Sequence, residues 1–195
     1  PGGGGRVAVY FEDRVEFSGI VRAKGGGMSF NGYSAEYSEN GTAGMFDMKN
    51  KKIYVDSSWV FSSRDNYVDY KDIEVNGGEV RVEEGTEISL DKMVLKNSSV
   101  LSLAGAQNFE VKDLSLDSYS TINTRAEDPI IINADDLYVG ADSKIDAIGM
   151  GYLYGPGSPD PINFQDTAAG YGGKGAGISP KPTYGDENNP NDFGS

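Results

Sequence analysis

Histidine and cysteine are both absent from this chain. Without imidazole there is no Ser-His or Cys-His pair, no imidazole base and no histidine-bound zinc. Without thiols there is no disulfide framework and no thiolate metal site, an absence compatible with secretion. Long apolar runs are missing as well: nothing approaches the roughly 20 residues that a membrane-spanning helix requires, and no charged-then-apolar opening resembles a signal peptide. Positive charge is in deficit, with 17 Lys and Arg against 30 Asp and Glu, a formal charge of -13 and a pI near 4.3. Such a surface repels nucleic-acid phosphates and anionic lipid, so neither nucleic-acid binding nor membrane insertion is expected.

What the chain does have is a repeat. Apolar pairs recur at Ile53/Val55, Ile73/Val75, Met93/Leu95, Leu114/Leu116 and Leu137/Val139, a period of 20 to 23 residues. Short strands repeating at that interval are the signature of a chain that coils on itself and buries each turn against its neighbours. The residue two after each anchor is apolar, as alternation along a strand requires. Polar corners follow: Asp56-Ser58, Asn76-Gly78, Lys96-Ser98, Asp117-Ser118 and Gly140-Asp142. Eight residues after the anchors stand Phe61, Arg81, Leu101, Ile122 and Ile145, which read as a second strand. The misfit Arg81 lies between Val80 and Val82, pointing to a one-residue register shift there. A third apolar patch precedes each next anchor, at Val68/Tyr70, Ile88/Leu90, Phe109/Val111 and Ile130/Ile132.

Three faces per repeat predict a triangular coil. The expectation is an all-β, right-handed parallel β-helix of about six coils, each rising ~4.8 Å, with a Gly/Pro-rich C-terminal segment. Its domain spans residues 1–148. Within it, residues 6–11, 14–17 and 20–23 read as strands, and residues 28–50 as an irregular insertion or a poorly matched coil with a strand at 45–48.

Composition changes after residue 148. Residues 80–139 hold two glycines, 140–178 hold ten, and six of the eight prolines fall between 156 and 190. Ordinary strands do not form from such a segment, yet its interleaved Tyr152, Tyr154, Phe164, Tyr171 and Tyr184 are costly to leave in water. Residues 149–195 are therefore expected to be extended and to pack on this chain's own coil or on a neighbour's.

Four strings carry a resemblance: Gly2–Tyr10, Ser143–Ala147 with the following Gly149–Gly157, Gly170–Gly175, and Tyr184-Gly-Asp through Phe193-Gly-Ser195. They resemble the glycine-rich modules of very large secreted or cell-surface repeat proteins, assigned to the pectin-lyase-like parallel β-helix superfamily. The resemblance implies a fold and an extracellular or cell-surface setting. It also implies that a segment like Tyr184–Ser195 is followed by one like Gly5–Tyr10, so that identical modules sit head to tail. The opening Pro1-Gly-Gly-Gly-Gly5 then reads as the start of a mature fragment or of one piece of a longer precursor.

An unclosed β-helix leaves unpaired backbone groups on its first and last turns, and no amphipathic helix is present to cover them. The expected function is thus that of a structural, self-associating module, a head-to-tail filament subunit or one unit of a tandem array. Its joint is expected at Arg6, Val7, Val9, Tyr10 and Phe11 on one side and at Tyr184, Asp186, Asn189 and Phe193 on the other.

Other classes are weighed against this one. A glycan-binding adhesin would use outward aromatics such as Tyr54, Trp59 and Tyr138. A polysaccharide lyase or hydrolase would need convergent carboxylates, but the acidic doublets here are strand neighbours that point to opposite faces, so no enzymatic activity is expected. Calcium is the one cofactor the acidic corners would suit, with Asp135, Asp136, Asp142 and Asp146 as ligands, although solvated charge that keeps a β-protein soluble is the simpler account. The triplets Asn40-Gly41-Thr42 and Asn97-Ser98-Ser99 are candidate N-glycosylation acceptors.

Overall fold

The computed structural model describes residues 3–13, 19, 21–26, 29–30, 33–34, 40–64, 70–103, 108–124 and 130–148. The segment 149–195, and with it Tyr184, Asp186, Asn189 and Phe193, lies outside the described residues. The chain divides into two compact units, residues 1–123 with 131–145, and residues 124–130 with 146–195. The repeat belongs to the first.

Every element among the described residues is a strand. In chain order they are β1 (Arg6–Phe11), β2 (Ser29–Phe30), β3 (Tyr33–Ser34), β4 (Thr42–Asp47), β5 (Lys52–Val55), β6 (Ser58–Phe61), β7 (Asp72–Asn76), β8 (Glu79–Val82), β9 (Glu87–Lys96), β10 (Val100–Leu103), β11 (Asn108–Leu116), β12 (Thr121–Asn123), β13 (Ile132–Val139) and β14 (Lys144–Asp146). They form a seven-stranded sheet in the order β1-β4-β5-β7-β9-β11-β13, a five-stranded sheet in the order β14-β12-β10-β8-β6, and a β2-β3 hairpin. From β5 to β13 each coil contributes one strand to each large sheet, and successive coils pair in parallel. This is a parallel β-solenoid of about four turns, against the six expected from the sequence.

The anchors fall where the period placed them. Ile53, Ile73, Met93, Leu114 and Leu137 stack in one column, and Val55, Val75, Leu95, Leu116 and Val139 in the next. The register shift at Arg81 is also present: Val80 stacks on Trp59 and Leu101, Val82 on Phe61 and Leu103, and Arg81 faces outward. The corner between the two sheets therefore lengthens along the solenoid, with three residues between Val55 and Trp59, four between Val75 and Val80 and five between Leu95 and Leu101.

Two large sheets, not three, carry the three apolar patches. The third patch is not a separate sheet but the first half of the long strands β9, β11 and β13, and Ile132 rather than Ile130 stacks on Phe109. Inward spacing in these strands slips from two to three between Leu90 and Met93 and between Val111 and Leu114. The extra residue forms a bulge: Asp91 and Lys92 both donate their N–H to the Lys71 carbonyl, at 2.8 and 3.2 Å, and Lys71 and Asp72 both donate to Lys51, at 2.9 and 3.2 Å. Such a bulge bends the strand while one sheet continues through it.

The corners are also stacked. Ser57, Gly78, Ser99, Ser120 and Ser143 form a column in which Glu79, Val100, Thr121 and Lys144 each donate their N–H to the column residue of the preceding coil. Ser99 is fully buried, accepting from Gly77 N–H at 3.0 Å and donating to the Val75 carbonyl at 2.9 Å. A Cβ at Gly78 would lie 2.6 Å from the Ser57 carbonyl oxygen, so this rung admits only glycine without a shift. Gly77 and Asn97, at φ 69° and 57°, take the left-handed conformation that turns the chain at neighbouring corners, one needing no Cβ and the other being among the residues that tolerate it.

Within residues 28–50 the strand expected at 45–48 is longer and starts earlier: Thr42–Asp47 is a full strand of the large sheet, parallel to β1 and antiparallel to β5. No strand forms at residues 21–23, and residues 14–18 lie outside the described ones. The antiparallel step makes β4 a lid on the first coil. Phe46 packs under Tyr10 (4.9 Å between ring centroids), edge-on to Trp59 (4.9 Å) and Tyr70 (5.3 Å), and the Arg6 guanidinium sits 4.5 Å from the centre of the Trp59 ring. A Cβ at Gly44 would meet the Trp59 ring at 3.0 Å, so this glycine makes room for the indole.

Candidate functional site

The two ends of the solenoid differ. At the N-terminal end the aromatic lid covers the first coil, so that Ile53 and Val55 are fully buried. At the C-terminal end no described strand follows β13 or β14, and the core positions of the last coil are open: Leu137 is 51% exposed and Val139 40%, where Leu114 and Leu116, one coil earlier, are 1% and 0%. Ile145 is likewise 41% exposed, whereas Ile122, the inward residue of β12, is buried. Among the described residues the outer edge of β13 thus joins a backbone without a partner strand to half-bare apolar side chains, the two features a further strand would satisfy.

Charge runs along the bulge beside this edge. The residue before each anchor forms a column, Lys52, Asp72, Lys92, Asp113 and Asp136, in which signs alternate until Asp113 meets Asp136. The residues preceding these, Lys71, Asp91, Lys112 and Asp135, alternate in the opposite phase. Lys112 Nζ contacts Asp91 Oδ1 at 2.7 Å, and that hydrogen bond, with the fields of Asp91, Asp135 and Asp113, raises the lysine above its ordinary pKa. Asp91 is lowered by the Lys112 bond and by the nearby charges of Lys112 and Lys71. In the outward row of the next position, burial pushes the Glu74 carboxyl up, but bonds from Lys52 (2.7 Å) and Lys96 outweigh it and hold the group below its usual value.

A shallow polar groove of about 440 Å³ lies alongside, between β9, β11 and β13, lined by Ser89, Glu110, Lys112, Asn133 and Asp135 among others. No aromatic side chain lines it.

The expected site residues distribute as follows. Arg6, Val7, Val9, Tyr10 and Phe11 do form the opposite edge strand of the large sheet, and Tyr10 is exposed. The glycan-contact set is not brought together. Trp59, in β6 beneath the lid, is 1% exposed, which corrects its expected surface role. The Tyr54 ring carries Lys52 Nζ at 4.5 Å and Phe11 at 6.5 Å, and Tyr138 shares its column but lies four rungs away, ~19 Å.

Asp135, Asp136, Asp142 and Asp146 do not converge: among the described residues no group of three or more acidic side chains has metal-site geometry. Asn97 is exposed, but its amide donates to Asn76 at 2.7 Å and the hydroxyl of its triplet, on Ser99, is buried. Asn40 is exposed and its Oδ1 accepts from Gly25 N–H at 3.2 Å, while Thr42 Oγ1 is buried. The charge column escaped the sequence reading, although its signal was present one position before each anchor.

No family model matches the chain, and no match is found among curated proteins or among solved structures. The fold itself defines the class, a parallel β-solenoid.

Proposed function

We propose that this chain is a structural building block that lengthens end to end, by adding a β-strand of a neighbouring module to its open C-terminal coil. The observation that carries this reading is the exposure of Leu137 and Val139 at positions buried in every preceding coil. A solenoid gains stability from each interface between repeats, so a bare terminal interface is the place where a further repeat contributes most. The general handedness of parallel crossovers supports a right-handed coil. The resemblance to glycine-rich repeat modules supports a filament subunit or tandem-array unit outside the cell, and the absence of cysteine is compatible with that setting.

Electron microscopy of the purified chain over a concentration series, with light scattering alongside, tests the proposal. Rods that lengthen in whole-module steps are expected at the high end of the series, and they should disappear when Leu137→Asp and Val139→Asp are combined. Rods that persist in that variant would place the joint elsewhere. A chain that stays monomeric while the outward amides of β13 resist hydrogen exchange would show the edge already covered, and the proposal would fall.

A further inference from the structure

We infer that the strand which β13 binds most tightly carries two adjacent cationic residues followed by an alternating apolar stretch, the chemistry of a solenoid coil that the outermost strand of an identical copy lacks. The inference rests on the end-to-end reading above and adds the identity of the partner strand.

The argument starts from the doublets at the bulge. From coil to coil they read Lys51–Lys52, Lys71–Asp72, Asp91–Lys92, Lys112–Asp113 and Asp135–Asp136. Each internal doublet faces opposite charges on the rungs beside it, with Lys51 against Lys71 and Asp113 against Asp136 as the exceptions at the two ends. Like charges directly opposite each other on paired strands are destabilising, and opposite charges contribute a few tenths to about 1 kcal/mol per pair. Asp136 makes no ion pair among the described residues. A rung placed on β13 continues both columns favourably only if it brings a cation to each. Past the doublet, the same rung must bury Leu137 and Val139 with inward apolar residues while an outward residue stacks on Tyr138.

This chain contains a segment of that design. Lys51-Lys52-Ile53-Tyr54-Val55 matches Asp135-Asp136-Leu137-Tyr138-Val139 position by position, with the charges inverted. Within the molecule that segment is already covered by β4, so it shows the chemistry required and is not itself the free partner. The strand an identical copy exposes at its N-terminal edge is β1, and its chemistry is wrong. β1 runs antiparallel to the coils, Phe11 stands in the column of Lys52, and the next residue, Glu12, falls in the column of Asp135. Stacked coaxially, Glu12 of one copy would oppose Asp135 of the other, and Asp136 would face Phe11. Identical copies therefore stack through β1 less tightly than a coil that opens with a basic doublet would, and need higher concentration to do so.

The test uses the full chain and two synthetic peptides, one with the sequence of residues 50–58 and one in which both lysines are glutamate. Binding is read by NMR as protection and shift of the β13 amides. The lysine peptide is expected to bind about tenfold or more tightly than the glutamate peptide, and the preference is expected to reverse in the Asp135→Lys/Asp136→Lys chain, whose buried residues are unaltered. Equal binding of the two peptides, or a preference that the double substitution does not reverse, would overturn the inference. If neither peptide binds while the β13 amides exchange freely and the chain still forms rods, the inference fails alone. If neither binds and those amides are protected in the isolated chain, the end-to-end reading fails with it.

Discussion

Glu74 shows how one residue ties three coils together. It sits in β7 between Lys52 of β5 and Lys96 of β9, three-quarters removed from water, and each lysine reaches one of its carboxylate oxygens. Its folded pKa lies below its ordinary value, so the carboxylate contributes stability that is present above the unfolded pKa and is lost as pH falls through the lowered folded value. Solvent still reaches all three groups, which holds the contribution near the surface-pair range, ~0.5–1 kcal/mol. Glu74→Gln should therefore lower the melting temperature slightly at neutral pH and remove part of the acid sensitivity. Thermal unfolding from about pH 7 to about pH 3 should show the two proteins converging as acid is added. A constant difference across that range would mean that the glutamate acts through packing rather than charge.

Each strand buries alternate side chains against its neighbours, so the same substitution should cost different amounts in different coils. Leu114 in β11 is covered from both sides by Met93 and Leu137, whereas Leu137 in β13 is covered from one. Leu114→Ala should destabilise by about 3–4 kcal/mol, in the range of fully buried leucines, and Leu137→Ala by roughly a third of that in the isolated chain. Chemical denaturation of both variants checks the difference, and equal costs would show that Leu137 is covered in solution. These anchors were legible in the sequence because stacking repeats one inward pair per coil. The number of sheets was not, because a bulge that bends a continuous strand and a corner that starts a new one both appear as a short polar interruption. Only the doubled amide contacts on the Lys51 and Lys71 carbonyls distinguish them. The role of β4 was hidden for a different reason. Its antiparallel entry breaks the period, and Trp59, which alternation with Phe61 places inward, packs there against the phenyl ring of Phe46 and the space at Gly44.

For the molecule as a whole, stability is a sum over interfaces between adjacent coils, and the two ends contribute unequally. The N-terminal coil has an aromatic lid and an antiparallel strand above it, while the C-terminal coil has one neighbour and carries a like-charge contact, Asp113 against Asp136. Local opening should therefore start at β13 and β14 and spread toward the lid. Native-state hydrogen exchange is expected to show the greatest protection in β7, β9 and β11, intermediate values in β5, and the least in β13. Asp136→Asn, which removes the like-charge contact without filling the open edge, should slow exchange in β13 and leave β7 unchanged. Protection that is uniform from β5 to β13 would mean that the solenoid unfolds as one cooperative block, and the C-terminal coil would then not be the yielding end that strand addition requires.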